Sequence, residues 1–208
     1  MARRLRPQPP GGIHHVMARG VAGLPLFRTD GDRDHFLATV EGTVLRHEWI
    51  CLAYVVLGTH YHLLVRTPEP DDLAPGMKRL NGNYAQSFNR RHRGRGHVFE
   101  SRYASVLVES DGHLRWLFRY LAWNPVNAGL CDDPKDWPWR GYPRMLGLRH
   151  ARPPRFLAVD AALGLFGRTR THARARLRDF VESAAADPAA LSRTAFRPPL
   201  PGEPARAA

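Results

Sequence analysis

The chain has 208 residues, 43% hydrophobic and 24% charged, enough for one well-buried domain with extensions and too few for two ordinary domains. Its 31 Lys and Arg against 19 Asp and Glu give a net charge of +12, a surface suited to a polyanion such as nucleic acid or an anionic membrane face. No apolar run approaches the roughly eighteen residues of a membrane span, "MARRLRPQPPGG" lacks the apolar core of a secretory signal, and Cys51 and Cys131 alone make no disulfide framework. These exclusions lead to an expectation of a soluble cytoplasmic protein with no membrane association.

After a Pro/Gly-rich lead, "IHHVMAR" (Ile13 to Arg19) reads as a first strand, and Gly20 to Pro25 as a loop. Asp30 to His47 has helical spacing of Phe36, Leu37, Val40, Val44 and Leu45, with Asp30 or Asp32 as cap. Trp49 to Leu57 and His60 to Arg66 read as strands joined by "GT". Asp72 to Arg91 reads as a second helix, with Leu80, Tyr84 and Phe88 one above another. A basic, Gly-containing loop follows, and His97 to Val108 reads as strand. Ser110 to Trp123 is a third helix, expected to end at Asn124 because Pro125 disfavours α geometry before it, with "NPVNAGL" restarting from an Asn cap.

The Pro- and Trp-rich "PKDWPWRGYPRML" is expected to pack irregularly on the domain, Phe156 to Ala186 holds a further helical pattern, and Asp187 to Ala208 reads as a loose tail. The domain reading is therefore 1–147 for the main domain, 148–186 for a C-terminal helical extension and 187–208 for a disordered tail. The order β-α-β-β-α-β-α implies an α+β layer fold, an antiparallel sheet with helices mainly on one face.

His60 and His62, two apart in a strand, share a face about 7 Å apart at their Cα atoms. With 11 His in the chain, such a pair is unsurprising, and one solvated and one hydrogen-bonded histidine would account for it. A metal site would need a third donor. Tyr120 and Asn124 are four apart on the third helix, beside the apolar stripe of Leu114, Leu117, Phe118 and Leu121. Their ordinary reading is a buried ring with a wet hydroxyl and a helix cap. In combination the four offer more. A phenol with a pKa near 10 is a poor nucleophile, but a divalent cation between two imidazoles and an amide oxygen would polarise a phosphodiester for attack by tyrosinate.

"GTHYHLLVRTPEPDDLAPGMKRLNGNYAQSFNRRHRGRGHVFESRYASVLVES", followed by "LRWLFRYLAWNPVNAGL" and "DWPWRGY", resembles the REP-associated tyrosine transposases. These are single-tyrosine HUH endonucleases related to the transposases of small single-strand insertion sequences. The resemblance begins near Pro10, covers the chain to about Gly147, and is most specific from His60 to Leu130. It implies an RNA-recognition-motif-like sheet, metal binding by His60 and His62, Tyr120 as nucleophile and Asn124 as the polar residue assisting the metal. It also implies Mg²⁺ or Mn²⁺ as cofactor and single-stranded DNA hairpins as substrate, cut and rejoined through a 5′-phosphotyrosine by a monomer or homodimer. The chain departs from the family's usual pattern at Gly58 and Thr59, at Tyr61, in the "VAGLP" turn, and at Asn127, where an Arg is common.

The expected DNA contacts are Arg90, Arg91, Arg93 and Arg95, with Lys78, Arg79 and Arg102 nearby; a solvated charged loop is the alternative. Phe88, Phe99 and Tyr103 are candidates for stacking on bases. Tyr84, on the Leu80/Phe88 line, and Tyr103, on a strand, rank below Tyr120 as nucleophiles. Two other functions share the same residues: a hairpin-binding regulator that does not cut, and a metal-dependent hydrolase that activates water.

Overall fold

The largely apolar, β-branched and aromatic runs "IHHVMAR", "ICLAYVV" and "HYHLLVR" form three strands of seven residues buried on both faces, β1 (Ile13–Arg19), β2 (Ile50–Val56) and β3 (His60–Arg66). With β4 (Ala104–Leu107) they form one antiparallel sheet in the order β2-β3-β1-β4. The computed structural model describes residues 9–148 and 153–183, so the tail expected at 187–208 lies outside the described residues. In the central β1/β3 pair, Arg19 stands opposite His60, Met17 opposite His62 and His15 opposite Leu64. Directly opposed residues share a face, so His15, Arg19, His60 and His62 all lie on one side of the sheet.

The other side carries α1 (Asp30–Arg46) and α2 (Leu73–His92). Thr29, rather than either aspartate, is the N-cap of α1; its hydroxyl accepts from the Asp32 N–H while the Asp32 carboxylate accepts from the Thr29 N–H. Phe36 from α1 and Tyr84 from α2 meet 5.2 Å apart, and Phe36 lies 4.5 Å from Tyr61 of β3. A Cβ at Gly76 would run into the Trp49 ring, so only glycine lets α2 approach that closely.

α3 (Asp111–Asn127) covers the histidine side, capped by Ser110, whose hydroxyl accepts the His113 N–H at 3.2 Å. The expected break at Asn124 does not occur: α3 runs through Pro125. Proline removes one ladder bond and crowds the turn before it, and here that turn is supported from outside. The buried Arg140 guanidinium donates to the Ala122 carbonyl at 3.0 Å and to the Asp133 carbonyl at 3.1 Å. Tyr120 and Asn124 therefore stay one turn apart on a continuous helix.

The strand expected over His97 to Val108 shrinks to Ala104–Leu107; upstream, only Phe99 bridges back to Gly20. The Trp-rich segment is more ordered than expected, lying along the free edge of β2. Val56 N–H donates to the Trp139 carbonyl, Gly141 N–H to the Tyr54 carbonyl, and the Trp137 indole to the Val56 carbonyl. This covers an edge that would otherwise offer unpaired backbone groups.

α4 (Tyr142–Leu146), α5 (Val159–Leu163) and α6 (Arg170–Glu182) complete the described chain. Their Leu146, Leu163, Leu177 and Val181 share the hydrophobic core of the sheet and α3. α6 is tied to α3 by bonds from Arg119 to the Phe180 carbonyl and from the Trp123 indole to the Val181 carbonyl at 2.8 Å.

Candidate active site

Strand alternation on β3 and helical spacing on α3 bring the four singled-out residues together. The Tyr120 ring sits edge-on to the His62 ring, with centroids 5.6 Å apart. The His60 and His62 rings are 5.2 Å apart. Asn124 is buried, and its side chain hydrogen-bonds His60. The Thr59 hydroxyl contacts His60 Nδ1 at 3.1 Å and limits rotation of that ring. Thr59, a departure from the family pattern, thus touches the ring beside it.

Both imidazoles are neutral near pH 7. Burial, then the neighbouring Arg19 charge, pushes His60 down to about 4 despite the bond to Asn124. Burial, then the proximity of His15 and His60, holds His62 well below the ordinary histidine range. A neutral imidazole has one lone pair to give, which is what a metal requires. His62 Nε2 is buried and meets no hydrogen-bond partner among the described residues. A buried polar atom in that condition costs free energy unless something else satisfies it, and a cation would. Among the described residues no three His, Cys, Asp or Glu side chains gather to hold a metal ion. The donors open to a divalent ion here would be two imidazoles and the Asn124 amide, a set whose chemistry fits such an ion.

Three further residues frame the site, and the motif reading did not select them. His15, wholly buried, contacts His62 Nδ1 through its Nε2 at 3.0 Å, with the rings 5.1 Å apart and 24° from parallel. Its ring is also 6.0 Å from Tyr120. Burial, then His113, lowers it to about 3. Trp116, one turn before Tyr120, stacks on the phenol at 5.0 Å and 12°. Arg19 stands opposite His60 with its Nε buried and without a hydrogen-bond partner, and it forms no salt bridge among the described residues. The available signal was the alternation of "IHHVMAR", which puts His15 and Arg19 on one face.

The rival tyrosine is differently placed. Tyr84 is 1% exposed, and its hydroxyl donates to the Leu26 carbonyl at 2.7 Å. Tyr103 is partly buried against the core. Phe88 and Phe99 pack with Tyr84, at 5.9 and 6.3 Å, rather than projecting toward solvent.

The basic residues do not converge on the histidines. Lys78, Arg79 and Arg90 are exposed on α2, in the layer opposite Tyr120. Arg79 and Arg90, with His35, Asn83 and Gln86, line a groove of about 400 Å³ between α1 and α2. Arg91 is held by Asp32 at 3.0 Å, which also takes His92 at 2.9 Å. Arg93 forms the left-handed cap of α2 (φ 50°), and Arg95 and Arg102 are exposed in the loop leading to β4.

A model of the family described as IS200-like transposases matches residues 13–124. A Haemophilus influenzae protein, whose own assignment as a REP-associated tyrosine transposase is provisional, is 26% identical over 122 residues, which is 53% of this chain and 69% of that protein. A solved structure of a REP-associated tyrosine transposase bound to a REP hairpin superposes with a TM-score of 0.61 at 19% identity, over 74% of this chain and 89% of that one. At that identity the likeness is one of fold.

Proposed function

The chain belongs to the IS200-like transposase family, and from that premise we propose that it is a metal-dependent, single-stranded DNA endonuclease and strand transferase acting at hairpin or REP-type sequences. The observation that carries this reading is the Tyr120 phenol edge-on to His62 at 5.6 Å, beside a buried His62 Nε2 with no partner among the described residues. The DNA hairpin as substrate is supported by the REP-hairpin complex of the structural neighbour.

His60, His62 and Asn124 would hold Mg²⁺ or Mn²⁺, which supplies charge stabilisation at the phosphorus and lowers the cost of ionising a nearby hydroxyl. Softer metals are the usual partners of imidazole; the family resemblance favours the harder ions. Tyr120, partly open to solvent, gives up its proton to water, and its oxygen attacks the phosphorus of the scissile diester. The P–O3′ bond breaks, the 3′ oxygen takes a proton, and the 5′ phosphate stays esterified to Tyr120. Attack by another 3′-hydroxyl reverses the sequence and restores the phenol, so rejoining needs no nucleotide cofactor. Arg19, beside His60 and with no carboxylate partner among the described residues, offers its guanidinium to the non-bridging phosphate oxygens. Trp116 fixes the phenol's plane by stacking.

A labelled single-stranded hairpin incubated with Mn²⁺ tests the proposal. Wild type should form a covalent adduct that survives denaturation, and Tyr120→Phe should form none. Hairpin binding with no adduct from wild type would put a non-cutting regulator in its place; cleavage that survives Tyr120→Phe would point to activated water.

A further inference from the structure

Two neutral imidazoles in hydrogen-bond contact share a single proton, and where it sits decides what the far nitrogens can do. His15 Nε2 and His62 Nδ1 are 3.0 Å apart. If the proton belongs to His15, His62 Nδ1 is the acceptor, and His62 Nε2 must carry the other N–H. That N–H would be buried with nothing to donate to, and it would close the nitrogen to any cation. If the proton belongs to His62 Nδ1, His15 Nε2 accepts it, and His62 Nε2 keeps its lone pair. The buried, unpartnered nitrogen is then available as a lone-pair donor to metal rather than an orphaned N–H.

We infer that His15 is a positioning residue that sets the tautomer and the ring plane of His62, keeping the His62 Nε2 lone pair directed toward the metal position. The geometry supports both parts. His15 is wholly buried in β1, two residues along from Met17, the register partner of His62, so it reaches His62 on the diagonal of the sheet. Its ring lies within 24° of the His62 plane and meets it edge to edge through that 3.0 Å contact, and it stands edge-on to Tyr120, which leaves the His62 ring little room to turn. Groups that bond the second nitrogen of a ligating histidine commonly matter ten- to a hundredfold to metal affinity. His14 cannot replace it, because strand alternation sends His14 to the opposite face.

This inference rests on the proposed metal site, but its test separates the two. Protein labelled with ¹⁵N at histidine and examined without metal by long-range ¹H–¹⁵N correlation should show His62 protonated at Nδ1 and pyridine-like at Nε2. The reverse pattern overturns the inference, whatever the metal does. Mn²⁺ affinity is then measured on wild type, His15→Phe and His15→Gln, with thermal unfolding of each. His15→Phe keeps a flat ring and removes the acceptor; affinity should fall about 10- to 100-fold. His15→Gln returns an oxygen acceptor at similar reach and should stay within about threefold of wild type. Equal affinity for His15→Phe and wild type would reduce His15 to packing. A wild type that shows the expected tautomer but binds no Mn²⁺ would sink the metal reading and leave the positioning role standing.

Discussion

Arg19 carries its charge into a half-buried position opposite His60, where it meets no carboxylate among the described residues. An uncompensated guanidinium beside proposed metal ligands is costly unless an anion arrives, and in the proposed reaction the scissile phosphate would be that anion. Arg19→Gln should slow adduct formation by roughly 10²-fold while leaving the thermal midpoint close to wild type; an unchanged rate would remove Arg19 from the chemistry. Tyr84 supplies the opposite case. Its hydroxyl holds the Leu26 carbonyl, so Tyr84→Phe should cost about 1–3 kcal/mol in urea unfolding and leave the adduct intact. An adduct lost with Tyr84→Phe and kept with Tyr120→Phe would reverse the assignment. His60, His62, Tyr120 and Asn124 could be read from spacing and resemblance. His15 and Arg19 could not be singled out, because an adjacent His-His pair and a strand-end arginine look ordinary until the β1/β3 register places them beside β3.

The elements follow the hydrophobic period closely where packing and propensity agree, as in β1, β3 and α2. They depart where a partner distant in sequence decides. Pro125 argues locally for a helix end, yet Arg140 supplies a hydrogen bond to the Ala122 carbonyl in the turn that proline disturbs. No local rule could reveal that contact. The upstream part of the expected fourth strand fails for the opposite reason: Met17 pairs with Ala104 but Gly20 with Phe99, so the residues between Phe99 and Ala104 outnumber those facing them and loop out of the ladder. A buried carboxylate joins α1 to α2. Burial alone would raise the Asp32 pKa, but bonds from His92 and from the Thr29 and Arg28 N–H groups outweigh it and leave the group below its usual range. A lowered folded-state pKa means that the stabilisation is present above the unfolded value of about 4 and disappears as pH falls through the lower folded value. Asp32→Asn should therefore lose about 1–3 kcal/mol near neutrality, and the gap from wild type should narrow in urea titrations taken progressively below about pH 4. A gap that stays constant with pH would assign the loss to the cap geometry alone.

For the whole molecule, charge and chain connectivity make separable claims. The excess of cations is spread over both sides of the sheet, with Arg79 and Arg90 in the α1/α2 groove and Arg19 at the histidines. If the groove arginines contact a strand's backbone, each removal should flatten the plot of log affinity against log salt by about 0.7. The covalent step at saturating DNA should be untouched; an unchanged slope would leave those arginines as solvated surface.

Connectivity bears on which subunit supplies the tyrosine. Because α3 is unbroken through Pro125 and is clamped by α6 through Arg119 and Trp123, Tyr120 is held against His62 of its own chain. Exchanging the tyrosine helix alone would break the Arg140 and α6 contacts, and exchanging it with everything after it would break the Val56–Trp139 and Gly141–Tyr54 backbone bonds to β2. The expectation is a site complete within one chain, whether or not chains associate. Mixing Tyr120→Phe protein with His62→Ala protein tests this, since each lacks a different half of the site. A shared site would restore adduct on the His62→Ala chain, whose tyrosine is intact, while sites complete in cis leave the mixture as inactive as its components. The absence of adduct across a range of protein concentrations is the predicted result, and its appearance would mean that α3 serves a neighbouring subunit.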